Sequence, residues 1–337
     1  MNELKEKLLE RRLIWKTGKH ARKLFRRKGL QAPPFRLRFS RSSNFPYDMT
    51  IRRDGPLFML DYTPRNPFYH AYEIIQGRAG DALYIMANCP AEITELSFNM
   101  ADGNQESAAL LHFSSRNRDA VLVPDPWFLS TRAFEKFRRH AEANTVPWGS
   151  RRATLRWRGK DNGAGCELFR PKHHYNPIVN ARIRMTLIAA SLPDTDCRFS
   201  AVKNPDLRPL FEEFGVMGAP IPETDWINDK YAVDIDGYSN TWSNMFVRML
   251  FGCCVLKVES QEGFRQWYYD RLEPWVHYVP VAADMRDLGE KLDWARRHDQ
   301  EAEEIARNGQ RLARSMTLES ETRHAVETIT ATARQRR

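Results

Sequence analysis

Apolar positions in residues 3–28 recur near helical spacing: Leu4, Leu8, Leu9, Leu13, Ile14 and Trp15, with basic residues between them. The pattern predicts an amphipathic helix over 3–28, ended by Gly29 and the pair Pro33-Pro34. From Phe35 to about Arg118 the rhythm shortens to strands and loops. Leu57–Leu60, Ala82–Met86 and Ala108–Phe113 are short apolar runs. Gly55-Pro56, Asp61, Asp81 and Asn88 flank the first two, as turn formers flank buried strands. Gly77 to Gly80 reads as a turn. Val121-Leu122-Val123 predicts a strand entering a proline-fixed loop, and residues 130–144 a helix with Ser130 as its cap. Val146-Pro147-Trp148-Gly149 breaks the chain and marks a domain boundary.

Beyond that break the two periods alternate. Strands are expected at Ala153–Trp157, Tyr231–Ile235 and Cys253–Val258, with Val276–Val281 extended. Helices are expected at Asn176–Ala190, Trp242–Phe251, Gly263–Arg271, Asp287–His298 and Gln300–Ser315. Strand–helix alternation of this kind points to a parallel sheet and an α/β fold.

Length and composition narrow the class. A chain of 337 residues suggests two domains, and 42% hydrophobic with 28% charged residues excludes a disordered chain. The most apolar stretch, Met245–Val258, is too short to span a bilayer and carries Arg248 and Lys257. The opening Met1-Asn2-Glu3-Leu4-Lys5 lacks the apolar core of a signal peptide, so a cytoplasmic location is expected. Five cysteines without a CxxC pair fit buried reduced thiols. Of the net charge of +9, +8 sits in residues 1–28. A nucleic-acid enzyme would spread its basic residues through the fold, so no nucleic-acid partner is expected. The basic helix instead suits an anionic membrane surface, or simply a solvated helix packed on the body by its apolar stripe.

Ligands of open parallel sheets bind beyond the carboxyl ends of the strands. Two strand ends carry suitable residues. Arg158, Gly159 and Lys160 follow the first: Arg can grip phosphate oxygens and Gly lets the backbone approach. At the second, Asp236, Gly237, Ser239, Asn240, Thr241, Trp242 and Ser243 lead into a helix whose first N–H groups could face an anion. An ordinary basic turn and a well-capped βα turn use the same residues. Asp234-Ile235-Asp236 and Asp194-Thr195-Asp196 match a D-x-D pattern that could hold Mn²⁺ or Mg²⁺, a pattern frequent by chance. His173, His174 and His277 fit surface or hydrogen-bonded roles, since adjacent histidines diverge. No GxSxG, HExxH, Walker loop or GxGxxG is present, which weakens hydrolase, zinc protease, NTPase and simple dehydrogenase readings.

Three stretches together carry a resemblance. Lys230–Gly237 followed by Trp242-Ser243, then Gly252–Ser260, then Leu272–Val281, resemble glycosyltransferase family 90, with Asp284, Asp287-Leu288, Trp294 and Ala302–Gly309 in the family's order. Weaker matches are Trp157-Arg158-Gly159 and the segment His112–Trp127. The Asp-Gly-x-x-Asn-x-Trp loop resembles the bacterial lipopolysaccharide-modifying branch.

The resemblance implies a GT-B-like α/β fold of two Rossmann-like lobes about a cleft, and metal-independent, inverting transfer from a UDP-sugar, with no cofactor. The implied layout is a basic amphipathic helix over 1–29, an acceptor-side lobe over 30–147, a nucleotide-sugar lobe over 148–290 and C-terminal helices over 291–337. Arg158 and the 237–243 loop would face the diphosphate, with Lys160, Lys257 and Glu259 in the same donor set and Glu259 on the ribose hydroxyls. The family's base is an Asp after an N-terminal-lobe strand. Asp102 fits that place, and Asp125 is its runner-up. Members carry an Arg at the helix start where this chain has Ser243, and Arg248 is the nearest substitute. The expected acceptor is lipopolysaccharide or another cell-surface or lipid-linked glycan at the inner membrane. The competing readings are a non-catalytic membrane or polyanion binder on a degenerate transferase fold, and a metal-dependent D-x-D transferase.

Overall fold

The computed structural model describes residues 3–39, 45, 47–62 and 70–335. Residues 1–2 and 336–337 of the expected terminal helices lie outside that set. The chain divides into two compact α/β units. The first comprises residues 1–133, 265–267 and 317–337, and the second residues 134–264 and 268–316. The division falls at Phe134, not at the 146–149 break, and the chain crosses back twice.

The first unit begins with α1 (Glu3–Arg27), then β1 (Phe35–Phe39), β2 (Asp48–Asp54), β3 (Leu57–Tyr62), α2 (His70–Asn88), β4 (Glu95–Asn99), β5 (Leu111–His112), β6 (Val121–Leu122) and α3 (Pro126–Ser130). The last helix of the chain, Leu318–Gln335, also belongs here. The sheet order is β1-β3-β2-β4-β5-β6. β2 runs antiparallel to β3 and β4, and the other pairs are parallel. The sheet is mixed, with one antiparallel strand among parallel pairs, within the expected α/β class. Met49, Ile51, Phe58, Leu60, Tyr62, Leu96 and Phe98 are buried, every second residue of their strands, as the pleat requires.

Two expectations in this unit fail. Ala82–Met86 is not a strand and Gly77–Gly80 is not a turn: both lie within α2. Residues 79–86 are buried on every side of that helix, so the run shows no amphipathic period. The helix expected over 130–144 is split. Asp125, not Ser130, caps α3, and a separate helix starts at Glu135 after three residues with positive φ.

The second unit contains α4 (Glu135–Ala143), β7 (Arg152–Gly159), α5 (Ala181–Ala190), β8 (Thr195–Phe199), α6 (Arg208–Glu213), β9 (Asp229–Asp234), α7 (Asn244–Leu250), β10 (Cys254–Val258), β11 (Val279–Val281), α8 (Leu288–Arg297) and α9 (Asp299–Ser315). Its sheet is wholly parallel, in the order β11-β10-β9-β7-β8. β9 and β10 are buried at every residue, which accounts for their unbroken apolar runs. The helix expected over Gly263–Arg271 is absent. Residues 265–267 instead cross to the first unit, where Arg265 bridges Ser115 and the Trp267 indole N–H donates to Glu321 at 2.8 Å. All five cysteines are free and four of them are buried, with burial pushing the Cys253 thiol up to about 12.

Candidate functional site

In the second unit the chain lays β8 on one side of β7 and β9 on the other. The helices that follow these strands therefore leave the sheet on opposite faces, and a crevice opens past the carboxyl ends of β7 and β9. A small cleft of about 50 Å³ lies there, lined from the β7 side by Asn162, Gly163 and Asn180 and from the β9 side by Asp236 and Gly237. Glu259, Gln261 and Glu262, just after β10, complete the wall.

Arg182 lies beneath the residues that line this crevice. It is buried in the first turn of α5, whose cap is Asn180. Its guanidinium donates to the carbonyls of Asp236 at 3.0 Å, Lys160 at 3.1 Å and Ile235 at 3.2 Å. One side chain thus ties the ends of β7 and β9 together. Burial lowers its pKa to about 10, so it remains a cation at neutral pH. A Cβ on Gly237 would come within 3.0 Å of that guanidinium, so a larger residue there would press on the arginine. Arg182 and Asn180 were not among the candidates from sequence. The only signal was an Asn that can cap a helix, followed two residues on by Arg.

The D-x-D pair divides by role. The Asp234 carboxylate is buried and accepts from the Thr241 hydroxyl, from Asn244 at 2.9 Å and from the Lys257 ammonium at 3.0 Å. Burial opposes its charge, but Lys257 and these hydrogen bonds outweigh it and hold its pKa below the usual range. Lys257, correspondingly, is held up by Asp234 and Asp236 against its own burial. Both Asp236 oxygens are shielded and make no hydrogen bond of normal geometry, while the residue lines the cleft. Burial raises its pKa. In the second D-x-D, Asp194 occupies a turn with φ 51°, and Asp196 is taken up by arginines.

Several expected phosphate contacts are corrected. Arg158 does not face the cleft. Its guanidinium is engaged by both Asp196 oxygens at 2.8 Å and by the carbonyls of Trp157, Asp196 and Ala219. Arg248 is buried against the Trp226 ring, 3.7 Å from its centroid, and pairs with Glu223 at 2.6 Å, so it does not stand in for an arginine at the helix start. Asn240 donates to the Phe264 carbonyl at 3.1 Å and Thr241 to Asp234, so these loop donors are used within the fold. Ser239 is buried; Trp242 and Ser243 are half-buried before the seven-residue α7, and Ser243 makes no side-chain cap. Lys257 points to Asp234 and the Tyr269 hydroxyl, not to solvent. Gly159 answers to its own strand: a Cβ there would meet the Trp157 ring at 2.4 Å. Lys160 is exposed at the end of β7, and Glu259 is exposed on the cleft wall. His173 and His277 accept from backbone N–H groups within their own turns, and His174 bonds the Pro171 carbonyl.

In the first unit, Asp102 follows β4 and is partly exposed. Arg78 holds it at 2.5 Å and also donates to the Met100 carbonyl at 2.8 Å. Gly103 has φ 94°, and a Cβ there would strike the Ser114 carbonyl at 2.3 Å, so the turn that presents Asp102 demands glycine. Asp125 is different. It is fully buried, caps α3 by accepting from Phe128 N–H at 2.9 Å, and takes a hydrogen bond from Gln266 at 3.2 Å. Burial pushes its pKa up to about 7. The runner-up is a structural cap.

Among known proteins, the chain is similar to Protein O-glucosyltransferase 3 of Homo sapiens, 39% identical over 92 residues, which cover 27% of this chain and 18% of that protein. It is also similar to Uncharacterized protein 179R of Invertebrate iridescent virus 6, 28% identical over 178 residues, covering 48% and 15%. The matches span 15%, 17%, 18% and 28% of the length of these and two further curated relatives. The solved structure of Anabaena Alr3699/HepE in complex with UDP and glucose aligns with a TM-score of 0.35 at 12% identity, covering 76% of this chain and 61% of that one. The profile of Glycosyl transferase family 90 matches residues 91–323, a span that takes in both Asp102 and the whole 162–264 crevice. On that match, the chain belongs to glycosyl transferase family 90.

Proposed function

We propose that the protein transfers a sugar from a UDP-sugar to a hydroxyl of a cell-surface glycan, lipopolysaccharide included, with inversion and without a metal. The observation that carries this reading is the crevice at the strand-order reversal of a family 90 chain, walled by Asp236 and Glu259. Carboxylates there suit the hydroxyls of ribose and sugar. The Arg182 cation beneath and the exposed Lys160 just past β7 favour the negative charge of a leaving diphosphate. Metal-free chemistry is supported by Asp234, whose charge Lys257 already balances. Asp102, presented by its glycine turn, is the base that would take the acceptor hydroxyl's proton.

Titration of the purified chain with UDP, UDP-glucose, UDP-galactose and UDP-xylose in EDTA tests it. One donor should bind and be consumed, and Asp236→Ala should weaken its binding about tenfold, the scale of a hydrogen bond to a charged group. If neither UDP nor any UDP-sugar binds, the donor site is misassigned. Turnover that returns only with Mn²⁺ or Mg²⁺ would sink the metal-free part.

Peripheral membrane contact through α1 completes the proposal. The inward stripe of that helix (Leu13, Ala21, Leu24, Phe25) is buried in the fold. Leu8, Ile14 and Trp15 remain exposed among its basic residues, a face suited to an anionic bilayer. The protein should float with vesicles containing anionic phospholipid, and Leu8→Glu with Trp15→Glu should leave it in the pellet fraction. Equal flotation of both proteins would remove this role from α1.

A further inference from the structure

A second cavity, of about 410 Å³, lies wholly within the first unit, between α1, α2 and α3. Its construction begins with two glycines of α2. Gly80 lets α1 come close, since a Cβ there would meet the Ala21 backbone at 3.0 Å. Gly77, one turn earlier, has nothing within 4 Å of where a Cβ would stand, and the cavity opens over it. The wall is cationic: His20, Lys23 and Arg27 from α1 and Arg78 from α2. Among the described residues no carboxylate pairs with Lys23 or Arg27, although the two stand one helical turn apart and repel each other. Trp127 lines the opposite side and is 53% exposed, a flat apolar surface for a ring to lie on.

The floor holds the second observation. Asp81 is completely buried, lines the cavity and has no hydrogen-bond partner on either oxygen. A buried polar group in that state costs stability unless something supplies the partner. Burial pushes its pKa well above the usual carboxylate range, and Lys28, buried over the Tyr84 ring, is lowered to about 8. Asp81 therefore offers the cavity two buried oxygens with no partner in the fold, which a hydroxyl ligand can engage.

We propose that this cavity is a binding site for a sugar bearing an anionic group, with Lys23, Arg27 and Arg78 on the anion, Asp81 on a ring hydroxyl and Trp127 against the ring face. That it serves as the acceptor subsite rests on the transferase reading above. Arg78 connects the two, since the same guanidinium lines the cavity and holds Asp102. The acceptor is then an acidic glycan, its charged group in the cavity and its reacting hydroxyl delivered towards Asp102.

Calorimetric titration of the full chain tests this with four probes: glucose 6-phosphate, glucuronate, inorganic phosphate and methyl glucoside. At least one of the two charged sugars should bind about tenfold more tightly than either phosphate or methyl glucoside, the gain expected when charged hydrogen bonds add to ring contacts. Preference between the two charged sugars separates phosphate from carboxylate as the anion. Lys23→Glu with Arg27→Glu should abolish the preference. Gly77→Leu fills the cavity from a helix position that tolerates leucine and should abolish binding without unfolding the protein. Equal binding of methyl glucoside, no binding of either charged sugar, or full binding by Gly77→Leu would overturn the site. UDP titrated into the same samples separates the two readings. Lost UDP binding with retained sugar binding defeats the transferase assignment alone, and the reverse defeats the cavity alone.

Discussion

Asp102→Asn is expected to lower kcat by about 10²–10⁴-fold, the usual worth of a positioned general base, with UDP affinity unchanged. The asparagine keeps the side chain's size and an acceptor oxygen for Arg78, so the turn around Gly103 should persist. Donor affinity is unaffected because every residue lining the 162–264 crevice belongs to the second unit. Asp125→Asn is the control. It retains the cap on Phe128 N–H and should keep turnover near wild type. It should also change the pH profile of stability in a defined direction. A carboxyl whose folded pKa is about 7 binds its proton more tightly folded than unfolded. The wild-type protein therefore loses stability from this group as pH rises from about 4 towards 7, and the asparagine variant does not. Urea midpoints across that window measure the difference. Turnover that survives in Asp102→Asn and collapses in Asp125→Asn would reverse the assignment.

Lys257→Met should be the most damaging single change to the second unit, destabilising it by about 3–5 kcal/mol at neutral pH. The loss comes less from the ion pair itself than from the Asp234 charge left buried without its cation. The sign with pH follows. In the wild type the pKa of Asp234 is depressed, so its contribution is present above the unfolded carboxylate value and fades only as pH falls below it. Without Lys257, burial pushes that pKa up instead, and the variant weakens as pH rises. The gap between the two proteins should therefore widen from about pH 4 to pH 7. Adding Asp234→Asn should recover part of it, because the uncompensated charge is gone. A gap under about 1 kcal/mol, flat with pH, would mean that the pair is solvated and not buried.

These outcomes bear on how far each part of the molecule could be read in advance. β9, β10 and the turn after Ile235 were legible, since strands covered on both faces must be apolar throughout and the turn must be rich in Gly, Ser and Asn. Asp102 became a candidate through the family resemblance, and only the structure shows that the turn after it needs glycine, with Gly103 at φ 94°. Arg158 was misjudged. Its position after an apolar strand was right, but the direction of its side chain depends on β8 beside it, which brings Asp196 within 2.8 Å. α2 was taken for a strand and a turn because burial on all sides removes the helical period.

Local pattern therefore determined the α/β class, the parallel half and the turn that follows β9. These depend on backbone conformation and burial, which leave a mark in consecutive residues. Tertiary structure alone decided which charged groups line a cleft or cavity and which are used within the fold. Arg182 became a tie between β7 and β9 by bonding three carbonyls, and Asp81 became an unpartnered carboxyl by lying beneath α1. A carbonyl looks the same whatever residue bears it, and a burying surface can come from anywhere along the chain. Neither therefore leaves a signature near the side chain whose role it sets.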